Sequence, residues 1–161
     1  MAYRAVRRIV YTCYGGAHSS PVAAAIHLGL LPRNTTPTVK QLLSIPLFDQ
    51  VTSSGRGRMM FVGTDARGNE IYVLGRGKES ADMVRNLIVS AWTVAGGATT
   101  PLEVCDTLPC VNGWMRMGGW LSRAAGLVGL GRPIAAFGAR LAYQRLVRLV
   151  QQVERRLGII N

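Results

Sequence analysis

The hydrophobic pattern along the chain changes period several times, and each change marks an element. Arg8-Ile9-Val10-Tyr11-Thr12 is a β-branched and aromatic run that suits a buried strand. A Gly-rich turn follows. Ser20-Pro21 then reads as an N-cap and the favoured first helical residue. That helix runs from Val22 to Leu31, closes at Pro32, and carries alanines that let it pack closely on a sheet. A short helix begins near Thr38, with Val39, Leu42 and Leu43 inward, and stops before Pro46. Residues 50–57 are polar and Gly/Ser-rich and read as a loop.

Met59–Gly63 and Ile71–Leu74 flank a turn at Asp65–Asn69, a hairpin whose length permits a bulge. Ser80–Ala95 is the clearest helix, because Val84, Leu87, Ile88, Ala91, Val94 and Ala95 recur at helical spacing before Gly96-Gly97. A strand at Leu102–Cys105 ends at Asp106-Thr107. Val111–Ala125 reads as a helix weakened by glycines, and residues 126–131 as a glycine-rich turn. Arg132-Pro133 then opens a long last helix whose stripe of Tyr143, Leu146, Val147, Val150, Val153 and Leu157 fits a membrane-surface helix or docking on the domain, and its moderate width and C-terminal position favour docking.

This order predicts a single α/β domain over residues 1–161, three-layered and Rossmann-like, with a small mixed sheet and a long C-terminal helix. Ligands of open α/β sheets sit beyond the carboxyl ends of the strands. If the first and last strands are parallel neighbours, Cys13 and Asp106 share one edge.

Composition narrows the class. The chain has 161 residues, is 48% hydrophobic and 17% charged, and so supports a packed core. Its formal net charge is +11, unevenly placed: residues 111–161 hold eight Arg against one Glu. A basic C-terminal third fits nucleic acid, an anionic membrane or an acidic partner. No segment has the length of uncharged apolar sequence that a membrane span needs, and no secretory pattern opens the chain. Three cysteines without an even spacing pattern point to reduced thiols and a cytoplasmic setting.

The candidate chemistry lies in Cys13-Tyr14-Gly15-Gly16-Ala17-His18-Ser19-Ser20. Two glycines allow successive N–H groups to turn inward, and the helix that follows adds its positive end. Ser19 and Ser20 supply hydroxyls, and His18 a donor able to carry charge near neutral pH. A thiol at Cys13 in that field moves towards the thiolate. The expected pocket is lined by this loop, by Asp106-Thr107 and by Arg132, and takes a small anion, a phosphate group or a nucleotide. In an enzyme, Cys13 is the nucleophile or redox thiol, His18 tunes it or acts as acid/base, and Asp106 is the acid or metal carboxylate. The chain has no Gly-Lys-Ser/Thr phosphate loop. Cys13, His18 and His27, or Cys105 and Cys110, do not make a strong metal signature, so no metal site is assigned and no cofactor is named. The rival reading is a binding module that presents Arg140, Arg148 and Arg155 to nucleic acid or an acidic protein.

Ile9–Gly15 and Ser20-Pro21-Val22-Ala23 resemble the first loop of low-molecular-weight protein tyrosine phosphatases and related arsenate reductases. The resemblance places Cys13 on the nucleophile and Ser20 on the serine that supports the thiolate. Ser19 stands where that loop carries its phosphate-clamping arginine, and Asp106 is followed by Thr107 where the family has an Asp-Pro acid. Arg132 is the leading candidate to supply the missing cation. Over its whole length the chain resembles an uncharacterised bacterial family, domain-of-unknown-function family 3189. That resemblance rests on Cys13–Ser20, Gly68–Arg76, Asp106–Asn112, Met115–Gly119 and Gly131-Arg132-Pro133. It implies membership and no mechanism.

Overall fold

The computed structural model describes residues 6–97 and 101–160. Four strands form one mixed sheet: β1 (Arg8–Cys13), β2 (Met60–Thr64), β3 (Glu70–Gly75) and β4 (Leu102–Asp106), in the order β2-β3-β1-β4. β1 is central and runs parallel to both β3 and β4, with Thr12 opposite both Leu74 and Asp106. β2 pairs antiparallel with β3, and the register shifts between Phe61 and Gly63, a bulge in the edge strand.

Among the described residues five α-helices complete the fold: α1 (Ser19–His27), α2 (Val39–Ser44), α3 (Ala81–Val94), α4 (Gly113–Arg123) and α5 (Val128–Arg156). The chain leaves β1 towards β3 and then returns across β1 to reach β4. Right-handed crossovers in opposite directions put their helices on opposite faces. Residue alternation in β1 shows the result. Ile9 and Tyr11, with Ile71 and Val73 of β3, face α1 and α5; Val10, Leu74 and Val104 face α3. The molecule is thus a three-layer α/β fold with a long C-terminal helix.

The first face carries most of the core. α1 is buried along its whole length, and Ala23, Ala24 and Ala25 let it fit between sheet and α5. α5 contributes the expected stripe: Tyr143, Leu146, Val147, Val150 and Val153 are buried. A bidentate pair, Arg33 to Glu154 with both bonds at 2.6 Å, ties α5 to the segment after α1. The second face is thin. Val84 and Ile88 of α3 reach the sheet, whereas Leu87 and Val94, read as part of the same stripe, are exposed. Among the described residues only three buried hydrophobic side chains, Val10, Leu74 and Val104, cluster on that face, too few to cover a full helical stripe.

Three expectations are corrected. α1 begins at Ser19, with His18 in the N-cap position, because the Ser20 side chain is used on Cys13 instead of on a backbone N–H. α1 also ends early: Gly29 takes φ 73 and Leu30 N–H returns to the Ala25 carbonyl, a closure that a left-handed glycine permits. Finally, α5 starts at Val128, so Gly129 and Gly131 are helical. Gly118, Gly131 and Gly138 are not helix weaknesses but contact points. A Cβ at Gly131 would stand 2.3 Å from Ser122 N, and one at Gly118 2.3 Å from Ala135 N, so the α4–α5 backbones could not approach as they do with any larger residue. Among the described residues no helix is long and apolar enough to cross a membrane.

Candidate functional site

The loop from Cys13 to His18 leaves the carboxyl end of β1 and is fastened to the end of β3. Arg76 N–H donates to the Cys13 carbonyl at 2.9 Å and Gly77 N–H to the Tyr14 carbonyl at 2.8 Å. The two backbones nearly touch. Gly16 sits at φ 68, and a Cβ there would lie 2.7 Å from Gly75 N; a Cβ on Gly75 would lie 2.7 Å from the Gly15 carbonyl. Both glycines are needed for this approach.

That fastening curls the loop around its own first side chain. Cys13 Sγ lies 3.1 Å from Ser20 Oγ and accepts the Gly16 N–H at 3.2 Å. Burial pushes the Cys13 pKa up, but hydrogen bonds from the Ser20 hydroxyl and from the Ser20 and Ala17 N–H groups overcome it and hold the thiol below its ordinary value. The other thiols go the opposite way. Burial pushes Cys105 up to about 12 and raises Cys110.

Ser19 is fully buried and donates to Thr107 Oγ1 at 2.8 Å, while that hydroxyl donates to the Thr12 carbonyl at 2.9 Å. The residue in the place of the clamping arginine is therefore a brace between the loop and the end of β4. Asp106 sits at the same edge as Cys13. Its carboxylate is taken up by Arg76, Nη2 to Oδ2 at 3.1 Å, and by the Leu108 N–H at 3.1 Å.

Above the loop lies a cavity of about 480 Å³. Cys13, Tyr14, Gly15, Ala17, His18 and Ser19 form its floor, α4 contributes Met115, Arg116, Gly119, Trp120 and Arg123, and Arg56 closes one side. The Arg56 guanidinium is stacked over the Tyr14 ring, 5.0 Å from its centroid. Gly16, Ser20, Asp106, Thr107 and Arg132 lie outside this lining and support it.

Asp49 organises the far wall. It has a fully buried side chain, a φ of 53, and partners from three elements. Oδ1 receives His18 Nε2 at 3.0 Å and Arg123 Nη2 at 3.3 Å; Oδ2 receives Ser122 Oγ at 2.6 Å and has Arg132 Nε at 3.8 Å. Burial raises the Asp49 pKa, but the His18 and Ser122 hydrogen bonds and the charges of His18 and Arg123 outweigh it and hold the carboxyl below its usual range. Arg132 is thus ion-paired with Asp49, and Arg56, Arg116 and Arg123 are the arginines that line the cavity. The buried Nε atoms of Arg123 and Arg132 have no hydrogen-bond partner.

The model of a family described as a protein of unknown function, DUF3189, matches residues 8–155. The chain belongs to the DUF3189 family. The match covers the Cys13 loop, the Gly75-Arg76 clasp, Asp106 and the α4–α5 hairpin of this DUF3189 protein. No curated protein and no solved structure matches the chain.

Asp49, Arg56 and Arg123 were not legible as site residues in the sequence. Asp49 is a lone acid just before the polar stretch at residues 50–57, and its place as a hub depends on contacts 31 and 74 positions away. His27, weighed as a metal ligand, lies inside α1 with Nδ1 at 2.7 Å from Tyr11 Oη and Nε2 at 3.3 Å from Asp65. Arg140, Arg148 and Arg155 are all exposed on α5.

Proposed function

We propose that this DUF3189 protein binds a small phosphate-bearing or similar oxyanionic ligand in the cavity over Cys13, and that the Cys13 thiolate is the nucleophile there. One observation carries the reading. A buried sulfur is held more acidic than an ordinary thiol by loop N–H groups and Ser20, and it faces a cavity that also holds three arginines.

In this reading Arg123 supplies from α4 the clamp that the resembled phosphatase loop carries in place of Ser19. Arg123 lines the cavity and spends only one long bond, from Nη2, on Asp49, so its other terminal N–H groups are the donors for a tetrahedral anion. The thiolate attacks phosphorus; the S–P bond forms as the P–O bond to the leaving group breaks. His18 lines the cavity, is oriented by Asp49, and delivers the proton to the leaving oxygen. Water then attacks the phosphorus of the phosphocysteine and gives its proton to His18; the S–P bond breaks, releasing phosphate and returning the Cys13 thiolate. Asp106, paired with Arg76, holds the strand ends that carry the loop.

Thermal-shift measurement of the full chain against phosphate, sulfate, arsenate and nucleoside monophosphates tests this. A ligand at about a hundred times its Kd stabilises the native state by about 2.7 kcal/mol, a rise of about 5–10 °C for a domain of this size. Such a rise, reduced by Arg123→Ala, is the expected result. An unchanged melting point with every one of these anions overturns the proposal.

A further inference from the structure

Residues 107–153 contain no Asp or Glu, yet they include six arginines. The α4–α5 hairpin lies inside this stretch, and its tip is apolar and unburied: Ala124-Ala125-Gly126-Leu127-Val128-Gly129-Leu130 is exposed at every position. Leu127 is 51% exposed and Leu130 61%.

The apolar surface continues from the tip along both helices. On α5, Leu130, Phe137 and Leu141 fall on one face at helical spacing and are all exposed. On α4, Trp114, Met117 and Trp120 do the same, and the Trp114 ring meets Phe137 edge-on at 5.7 Å, joining the two stripes. Beyond Leu141 the α5 face turns basic at Arg145 and Arg148, both exposed. The inner faces of the hairpin are already used by the glycine contacts, so packing within the chain does not account for the outer one.

We propose that the α4–α5 hairpin docks on a bilayer bearing anionic headgroups. Leu127, Val128 and Leu130 enter the boundary between headgroups and acyl chains, Trp114 and Trp120 sit at the interface, and Arg145 and Arg148 meet lipid phosphates. The order along the hairpin, apolar tip, aromatic flank, then arginines, follows the polarity of a leaflet entered from water. Because no described helix can cross a membrane, the contact involves one leaflet. Charge decides against a second copy of the chain. A symmetric contact through this face would bring arginines against arginines, with no carboxylate in residues 107–153 to pair them. Nucleic acid fits the arginines and leaves the aliphatic tip in water.

Flotation of the full chain with phosphatidylcholine vesicles and with phosphatidylcholine–phosphatidylglycerol vesicles tests the proposal. The expected result is binding to the mixed vesicles, weakened by salt, and a blue shift of tryptophan emission. A Leu127→Glu/Leu130→Glu variant changes side chains that are exposed and outside the cavity, so its melting point stays as in the parent. Its vesicle binding falls by roughly tenfold or more, from the loss of two buried leucines. The proposal is overturned if neither vesicle is bound, or if the folded tip variant binds as well as the parent. It is equally overturned if the tip variant abolishes a dimer seen by sedimentation, or an oligonucleotide complex, in place of vesicle binding.

Discussion

The Ser20 hydroxyl lies 3.1 Å from Cys13 Sγ, in the first turn of the helix whose positive end faces the loop. By donating to the sulfur it favours the thiolate over the thiol. Ser20→Ala therefore raises the Cys13 pKa. One charge-assisted hydrogen bond contributes about 1.5 kcal/mol, so alkylation at neutral pH slows by about tenfold. Rate measurements with iodoacetamide, read by mass spectrometry at Cys13, check this. An unchanged rate would mean that Ser20 serves only as packing.

Asp49 gathers His18, Ser122, Arg123 and Arg132 around one buried carboxylate. Asp49→Ala leaves those donors without their acceptor and is expected to cost about 2–3 kcal/mol, read from urea unfolding. The pH dependence has a definite sign. The folded pKa of Asp49 is depressed, so its contribution is complete above the unfolded carboxylate value of about 3.9 and is lost as pH falls through the folded value. A parent protein and an Asp49→Ala variant whose stabilities run parallel between neutral and strongly acid pH would contradict the hub.

Two neighbouring glycines of α5 predict opposite outcomes. A Cβ at Gly131 meets Ser122 N at 2.3 Å, and one at Gly129 meets nothing within 4 Å. Gly131→Ala is expected to destabilise by about 1–3 kcal/mol and to spread α4 from α5, distorting the wall that carries Arg123. Gly129→Ala gains about 0.5 kcal/mol from helix propensity. Thermal melts of the two variants that moved in the same direction would count against the close-packed hairpin.

His27 gives a second pH signature. Burial lowers its pKa more than the nearby Glu154 and Asp65 raise it, so it stays neutral in the fold, accepting from Tyr11 and donating to Asp65. The unfolded chain takes up the proton first. Stability therefore declines as pH drops below the unfolded histidine value of about 6.5 and continues to fall until the folded pKa is reached. Urea unfolding at several pH values between neutral and mildly acid should show this slope, and His27→Gln should flatten it.

The fold was readable where local pattern and tertiary role agree. The β-branched run at Ile9–Tyr11 and the stripe at Tyr143–Val153 both predict what they do in the core. Cys13 and His18 were legible because a strand, two glycines and a helix start place them at a sheet edge whatever surrounds them. The failures have one cause, which is that a residue's job was set by a partner distant in sequence. The pattern alone makes Ser20 a cap, and the resemblance of the loop is what placed its hydroxyl on Cys13; Gly118 and Gly131 read as helix breakers until two backbones meet through them. Asp106 was legible at the thiol's edge of the sheet, and its pairing with Arg76 was not. Arg123 and Arg132 are both arginines near glycine-rich sequence, and only the α4 packing puts the former on the cavity wall.

The most direct test of the cradled thiolate is the alkylation rate of Cys13 as a function of pH, with and without phosphate. Cys105 and Cys110, whose pKa values are raised, stay silent and leave one reactive thiol. A cradled thiolate gives a rate that levels off at a pH below the ordinary cysteine pKa of about 8.5, and protection that grows with phosphate concentration. A rate that climbs through that value as free cysteine does, unchanged by phosphate, would contradict it.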